Sequence, residues 1–231
     1  LNNGITKDFP VGTSLLDIYN GLELDMPYGA IAARVNNTTH SLALRLFRNK
    51  DVEFIDITTD DGMRMYVRSL TFIFMKAMNE VFPGEIVRFE NAISKGYYCR
   101  MDNPISEEQV ALVREKMHLI VKSDIPFKRV ECHTEEAIEL FRKVGRVDKV
   151  KLLETYDRLY TSYYELDGYI DSYYHGLVPS TGYIGLFEIE RFADGVLLRV
   201  PNKERPNELE DKVPQEKLQD LFEERLQWHQ Q

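Results

Sequence analysis

The amino-acid sequence predicts an α+β protein in which antiparallel sheets are packed by helices. Apolar side chains recur at helical spacing in several segments that begin with capping residues. Between these segments lie short β-branched or tyrosine-rich runs bounded by glycine, proline and aspartate, which is typical of strands. A chain of 231 residues with 43% hydrophobic side chains has room for two domains.

The first sixty residues alternate short strand signals with one helix, which is the order of a small β-grasp module. The predicted elements are a strand at 5–10, a helix at 13–22, and strands at 30–37 and 52–59. Thr13 or Ser14 is the expected cap of the helix, because a hydroxyl there can accept a hydrogen bond from a free backbone N–H. Aspartates and a glycine at 60–62 interrupt the pattern and indicate a domain boundary.

The second region repeats helices and strands up to about residue 200. The first predicted elements are a helix at Met63–Val81, two strands in 85–102 with a turn at Lys95-Gly96, and a helix capped by Ser106. A strand and a helix follow in 127–145, and the helix is capped by Thr134 and stopped by Gly145. Sheet is predicted in 149–174 and 182–201, with a hairpin turn at Ala193-Asp194-Gly195. Residues 202–217 are expected to be a charged linker, followed by a polar helix at 216–231.

The net charge and the cysteine content of the sequence indicate which partners and which cellular location to expect. The formal charge of −9 disfavours RNA as a partner unless basic residues cluster locally. The two cysteines, the lack of a secretory leader and the lack of a membrane-spanning apolar run predict a cytoplasmic bacterial-type location without a membrane partner.

Residues 8–18, 30–46 and 52–62 resemble a TGS domain, the ubiquitin-like module of threonyl-tRNA synthetases and some GTP-binding proteins. Residues 66–84 and the segments that follow, to about 185, resemble the second additional domain of threonyl- and alanyl-tRNA synthetases, which hydrolyses mischarged tRNA. The resemblance predicts a TGS domain at 1–61, an editing-domain-like domain at 62–200, and a linker and helix at 201–231.

The editing family carries four metal ligands, and this sequence has none of them at the matching positions. Its two histidines, four residues apart on one helical face, correspond to Arg68 and Phe72. Its later cysteine and histidine correspond to Tyr173 and Leu177 in the stretch YIDSYYHGLVP. We therefore expect no metal site and no catalytic residues of the family's kind.

The hairpin DGVLLRVP and the helix at 216–231 also resemble the N-terminal region of uridine-kinase-like proteins, related to phosphoribulokinases. This resemblance implies a non-catalytic regulatory or ligand-binding region of a nucleoside kinase. ATP and magnesium would then belong to a P-loop domain beyond Gln231, which would be a partner of this region, and no cofactor is expected within the chain itself.

Six residues are candidates for a residual pocket that binds a small molecule or nucleotide: Arg68, Tyr97, Tyr98, Arg100, Tyr173 and His175. Arg68 can bind only anions or neutral acceptors, and it can equally pair with a nearby carboxylate. Tyr97 and Tyr98 can equally belong to a core.

Two further patterns favour a structural interpretation, and two other functions stay open. The tyrosines of 163–174 are expected to pack in a sheet rather than to stack on bases, and Lys143, Arg146, Lys149 and Lys151 to form a solvated face. The alternative functions are a free-standing deacylase of mischarged tRNA and an RNA-binding module.

Overall fold

The structure is a computed structural model and describes residues 4–93 and 96–212. Its helices are α1 (Leu15–Asn20), α2 (Asp60–Val81), α3 (Glu107–Lys122), α4 (Thr134–Lys143) and α5 (Val147–Glu154), with a 3₁₀ turn at Thr181–Tyr183. Its strands are β1 (Thr13–Ser14), β2 (Ala32–Val35), β3 (Thr38–Ser41), β4 (Arg45–Leu46), β5 (Val52–Ile55), β6 (Val87–Ile93), β7 (Gly96–Met101), β8 (Lys128–His133), β9 (Tyr160–Leu166), β10 (Tyr169–Asp171), β11 (Glu188–Phe192) and β12 (Gly195–Arg199).

The chain forms two compact units, each made of two separate segments. Unit 1 contains the described residues up to Asp56 together with Val121–Tyr183. Unit 2 contains Ile57–Ile120 together with the described residues from Ile184 onward. All strand pairs in the sheets are antiparallel, so the α+β class with antiparallel sheets is confirmed. The domain boundaries after residues 61 and 200 stay a prediction.

The N-terminal part of unit 1 is a small sheet covered by one helix. Its strands follow the order β3-β2-β5, and β1 pairs separately with β4. Asn36 and Asn37 form the β2–β3 turn with positive φ angles, which asparagine tolerates better than most residues. Ser14 caps α1 by accepting a hydrogen bond from the backbone N–H of Asp17 at 3.1 Å, and Leu15 packs with Phe54 in the core.

The other part of unit 1 is a three-stranded sheet, β10-β9-β8, with α4 packed on β8 and β9 and α5 packed against α4. Ala137, Phe141, Val150 and Leu153 from the helices pack with Ile170 of β10. Gly145 has a φ of +77° and ends α4, as the sequence predicts, which allows the chain to turn into α5.

Unit 2 packs α2 and α3 with a four-stranded sheet of order β11-β12-β7-β6. The predicted helix at 63–81 is α2, which Thr59 caps through the N–H of Gly62. The predicted hairpin joins β11 to β12. Its glycine is required, because a Cβ at Gly195 would collide with the carbonyl oxygen of Cys99.

Several predicted elements differ from the structure. Residues 149–154, predicted as part of a sheet, belong to α5, because Val150 and Leu153 are buried at helical spacing among residues that favour helices. Residues 5–10 contain no strand. Thr134 lies inside α4 rather than at its N-cap, and its hydroxyl donates to the carbonyl oxygen of Arg158 at 2.5 Å.

The described part of the predicted linker is folded rather than extended. The side-chain oxygen of Asn202 accepts hydrogen bonds from the backbone N–H groups of Glu204 and Arg205, and Pro201 pairs with Leu209. The turn residue Lys95 and the predicted helix at 216–231 lie outside the described residues. Among the described helices, none has the length and apolar character needed to cross a membrane.

Candidate functional site

A buried carboxylate held by two cations is the main polar feature of unit 1. Asp171 ends β10, and its side chain is only 5% exposed. Its Oδ2 lies 3.2 Å from Nη1 of Arg146, and its Oδ1 lies 3.1 Å from Nζ of Lys149. Oδ1 also accepts a hydrogen bond from the backbone N–H of Ser172 at 2.7 Å. We call Arg146, Lys149 and Asp171 the ionic cluster.

The start of α5 positions both cations. Arg146 is the N-cap residue and Lys149 follows in the first turn. The guanidinium of Arg146 also donates to both carboxylate oxygens of Asp148, at 3.0 Å each, and to the hydroxyl of Tyr169 at 3.3 Å. Burial opposes the charged form of Arg146, but the hydrogen bonds to Asp148 and the charge of Asp171 raise its pKa above the usual range.

Neighbouring pKa values respond to the same environment. Burial and the negative charge of Asp171 raise the pKa of the Tyr169 hydroxyl. Burial favours the protonated form of Asp148, but the hydrogen bond with Arg146 outweighs it and holds the pKa of Asp148 below its usual value. Arg146 and Asp148 therefore stay charged at neutral pH.

The ionic cluster contacts one of the six predicted site residues. Nζ of Lys149 lies 5.8 Å from the centroid of the Tyr173 ring and donates to the carbonyl oxygen of Ser172 at 3.0 Å. Tyr173 is thus held next to the cluster by a cation–π contact.

Ser172 and Tyr173 also line an open pocket of about 500 Å³, which we call the tyrosine pocket. Its other walls come from β8, β9, the end of α5 and the segment after it. Four members carry the argument below: Tyr156, Arg158, Tyr160 and Tyr174.

Arg158 lies between two aromatic side chains of this pocket. Its Cζ is 5.6 Å from the ring centroid of Tyr156 and 6.0 Å from that of Tyr174. Tyr174 is 78% exposed. Within residues 4–93 and 96–212, no carboxylate forms an ion pair with Arg158. The pocket therefore offers a cation and exposed ring faces to a ligand.

The other predicted site residues are divided between the two units. Arg68 lies on α2 and Tyr97, Tyr98 and Arg100 lie on β7, all in unit 2, whereas His175 is exposed in unit 1. Tyr98 is fully buried against Phe192, with ring centroids 5.7 Å apart. Burial raises the pKa of Tyr97, which is half-buried. That the six residues share one binding site stays a prediction.

The positions that match the family's metal ligands have different surroundings. Phe72 and Leu177 are buried apolar side chains, whereas Arg68 and Tyr173 are partly exposed. In the described part of the chain, no three side chains of histidine, cysteine, aspartate or glutamate come together in a group that could hold a metal ion.

The sequence pattern missed the ionic cluster and the tyrosine pocket. Lys143 and Lys151 are exposed as predicted, but Arg146 and Lys149 are partly buried, so the prediction of a solvated face is wrong for them. The prediction of sheet packing is likewise wrong for Tyr174, which projects into solvent. The sequence signal for the ionic cluster was Asp171, a single carboxylate at the end of the predicted strand segment YID.

The chain is similar to threonine–tRNA ligases over most of its own length. It is 30% identical to that of Desulforamulus reducens over 185 residues, which is 79% of this chain and 29% of the ligase. It is 27% identical to that of Syntrophotalea carbinolica and 26% identical to that of a Geobacter species, each over 84% of this chain and 31% of the ligase. The chain thus spans about a third of the length of these relatives. No family model matches it.

These similarities correct the function inferred from sequence. The prediction of a regulatory region of a uridine kinase is wrong, because the relatives that align with most of the chain are aminoacyl-tRNA synthetases. The expectation of ATP, magnesium and a kinase domain as partner depended on that assignment. The similarity supports the alternative functions, a deacylase of mischarged tRNA or an RNA-binding module, better than the kinase assignment.

Proposed function

We propose that this chain is an aminoacyl-tRNA-binding module of the synthetase editing type, and that the tyrosine pocket takes the unpaired 3′ end of tRNA. The observation that carries the proposal is the position of Arg158 between Tyr156 and Tyr174. Exposed tyrosine rings stack on bases of any sequence, and an arginine without a carboxylate partner can bind a phosphate.

The local charge supports this ligand although the whole chain is acidic. Among the side chains that line the pocket, Arg129 and Arg158 are cations and Glu131 is the carboxylate. Arg129 and Glu131 form an ion pair at 3.4 Å, but both are more than half exposed, so the pair is weak and Arg129 can turn to a phosphate.

Binding of a short RNA that ends in CCA tests the proposal. Replacing Arg158 with glutamate should weaken binding at least about tenfold, because an attractive contact becomes repulsive. Tyr174→Ala should weaken it by about 5- to 100-fold through lost stacking. Arg64→Glu is the matched control, since Arg64 is 70% exposed on α2 in unit 2. Equal affinities of all these variants and the unchanged chain would refute the pocket assignment.

A second candidate function is hydrolysis of the aminoacyl ester of mischarged tRNA, which the ionic cluster favours. Lys149 contacts both Asp171 and Tyr173, so an ammonium group lies beside the pocket wall. It would stabilise the negative charge that develops on the carbonyl oxygen when water adds to the carbonyl carbon, before the C–O bond to the ribose breaks and the ribose oxygen leaves with a proton from the water. The products are the free amino acid and uncharged tRNA.

Release of serine from seryl-tRNA by the purified chain tests this second function. Lys149→Met should abolish release and Lys149→Arg should keep part of it, because the charge is retained. Threonyl-tRNA is the matched substrate control. Binding of the CCA end without release of serine would reject hydrolysis and leave the binding proposal in place.

We also propose that residues 1–61 form a TGS-type β-grasp and that residues 62–200 correspond to the editing-like domain, in a cytoplasmic protein. The packing of α1 on the β3-β2-β5 sheet supports the first assignment. The threonine–tRNA ligase relatives support the second.

A further inference from the structure

A second surface in the N-terminal part of unit 1 carries cations and an exposed aromatic ring. The segment Arg45–Lys50 contains Arg45, Phe47, Arg48 and Lys50, and the ring of Phe47 is 67% exposed. Lys7 lies in the same region, and we call these five residues the basic loop surface. Lys7, Phe47, Arg48 and Lys50 line an open groove of about 560 Å³.

Among residues 4–93 and 96–212, no carboxylate forms an ion pair with a cation of this surface. Arg45 donates to the carbonyl oxygen of Gly12 at 2.9 Å, and Lys7 donates to that of Gly21 at 3.1 Å. These neutral partners hold the side chains in place and leave their charge uncompensated. In the part of the chain that the structure describes, Arg48 and Lys50 form no ion pair.

The local balance of charge is opposite to that of the whole chain. Three cations, Lys7, Arg48 and Lys50, and two carboxylates, Asp8 and Asp51, line the groove, whereas the complete chain carries a formal charge of −9. A positive patch on an acidic protein attracts a polyanion locally while the rest of the surface repels it. Cations interleaved with an exposed aromatic ring fit RNA, because phosphates and an unpaired base can be bound together.

We propose that the basic loop surface binds the body of the tRNA whose 3′ end enters the tyrosine pocket, with Arg48 and Lys50 on phosphates and Phe47 stacked on an unpaired base. This inference rests on the proposed function for the identity of the RNA. It assigns a separate RNA contact to the N-terminal part of the chain.

Binding of complete tRNA and of the trinucleotide CCA to the full chain, each measured over a range of salt concentrations, tests the proposal. Replacing Arg48 and Lys50 with alanine should reduce the slope of log K against log salt for tRNA by about 1.5, because two phosphate contacts are lost. Phe47→Ala should weaken tRNA binding by roughly tenfold. Neither change should alter the affinity for CCA.

The matched control replaces Arg64 and Arg88 with alanine, since both are exposed in unit 2 and carry the same total charge. An unchanged salt slope and tRNA affinity in the Arg48 and Lys50 variant would overturn the proposal. Equal reductions of the salt slope and the tRNA affinity in the control variant would also overturn it. Binding of anionic vesicles by this surface in preference to tRNA would do the same. Failure of CCA to bind, with the tRNA slope still dependent on Arg48 and Lys50, would reject the tyrosine pocket and support the basic loop surface.

Discussion

At the scale of single residues, Asp171 is one of the few charged side chains of the described chain that are nearly buried. A nearly buried carboxylate is stable only when charged or hydrogen-bonding partners replace water. Arg146 and Lys149 supply this compensation at 3.2 and 3.1 Å. The same arrangement keeps a lysine beside Tyr173, so the ionic cluster links stability to the candidate site.

Replacing Asp171 with asparagine should lower the free energy of unfolding by about 3 kcal/mol, because two partly buried cations lose their shared carboxylate. Urea denaturation at neutral pH measures the change. Asp148→Asn is the control, since Asp148 is 62% exposed and its pair with Arg146 should contribute less than about 1 kcal/mol. Equal decreases in the free energy of unfolding of the two variants would show that the burial of Asp171 does not increase its contribution to stability.

The sequence identified the residue types of the site but not their contacts. Arg146 and Asp171 are 25 positions apart, and their pairing depends on α5 packing next to β10. The alternation of acids and bases in 143–151 is the pattern of a solvated face. It therefore gives no indication that Arg146 and Lys149 are partly buried in the fold. Tyr173 was found only because a family motif marked its position.

At the scale of elements, one hydrogen-bonded side chain joins α2 to the segment before β11. The hydroxyl of Tyr66 donates to the carbonyl oxygen of Leu186 at 2.6 Å and accepts from the N–H of the same residue at 2.9 Å. Tyr66 is 3% exposed, so this backbone segment has no ready substitute for either bond.

Tyr66→Phe should destabilise the protein by about 2 kcal/mol, because the partly buried N–H and carbonyl of Leu186 lose their partner. Thermal or urea unfolding of unit 2 measures the loss. Tyr28→Phe serves as control, since Tyr28 is 45% exposed and should change stability little. A loss no larger than that of the control would contradict the role of this bond.

Tyr66 also predicts a dependence of stability on alkaline pH. Burial raises its pKa from 10.0 to about 12 in the folded chain. A raised pKa contributes stability that is present below pH 10 and is lost as the pH rises towards 12, because the unfolded chain releases its proton first. The stability difference between the native chain and Tyr66→Phe should therefore shrink across this range, by up to about 2 to 3 kcal/mol. A constant difference would show that Tyr66 ionises normally.

Elements with explicit local signals were predicted well from sequence. The capping of α1 by Ser14, the stop at Gly145 and the hairpin before Gly195 each depend on one residue with a clear backbone preference. The helix α5 was missed because its eight residues have a short apolar stripe beside a tyrosine-rich run. Tertiary packing of Val150 and Leu153 decides its conformation, and a local window does not contain that information.

At the scale of the whole molecule, each unit depends on two segments that are far apart in the chain. In unit 2, β7 from the first segment pairs with β12 from the second, at the centre of the sheet. The fully buried ring of Tyr98 on β7 packs against Phe192 of β11. Neither segment has a complete sheet by itself.

A fragment of residues 57–120 should therefore not unfold cooperatively, because β7 lacks its neighbour and Tyr98 is exposed. Adding a peptide of residues 184–212 in trans should restore a cooperative transition. Circular dichroism during heating measures both states, and a peptide of the same composition in scrambled order is the control. A cooperative transition of the fragment alone, at the temperature of the full chain, would contradict this dependence.

The interleaving of segments also has a consequence for biosynthesis. The ionic cluster forms only after residue 171 has left the ribosome, and the sheet of unit 2 is complete only after residues 195–199 have been synthesised. At about 5 to 20 residues per second, the nascent chain carries α2 and β7 without their later partners for roughly 5 to 25 seconds. During that interval its apolar surfaces are available to chaperones, so slower translation should make its yield more dependent on them.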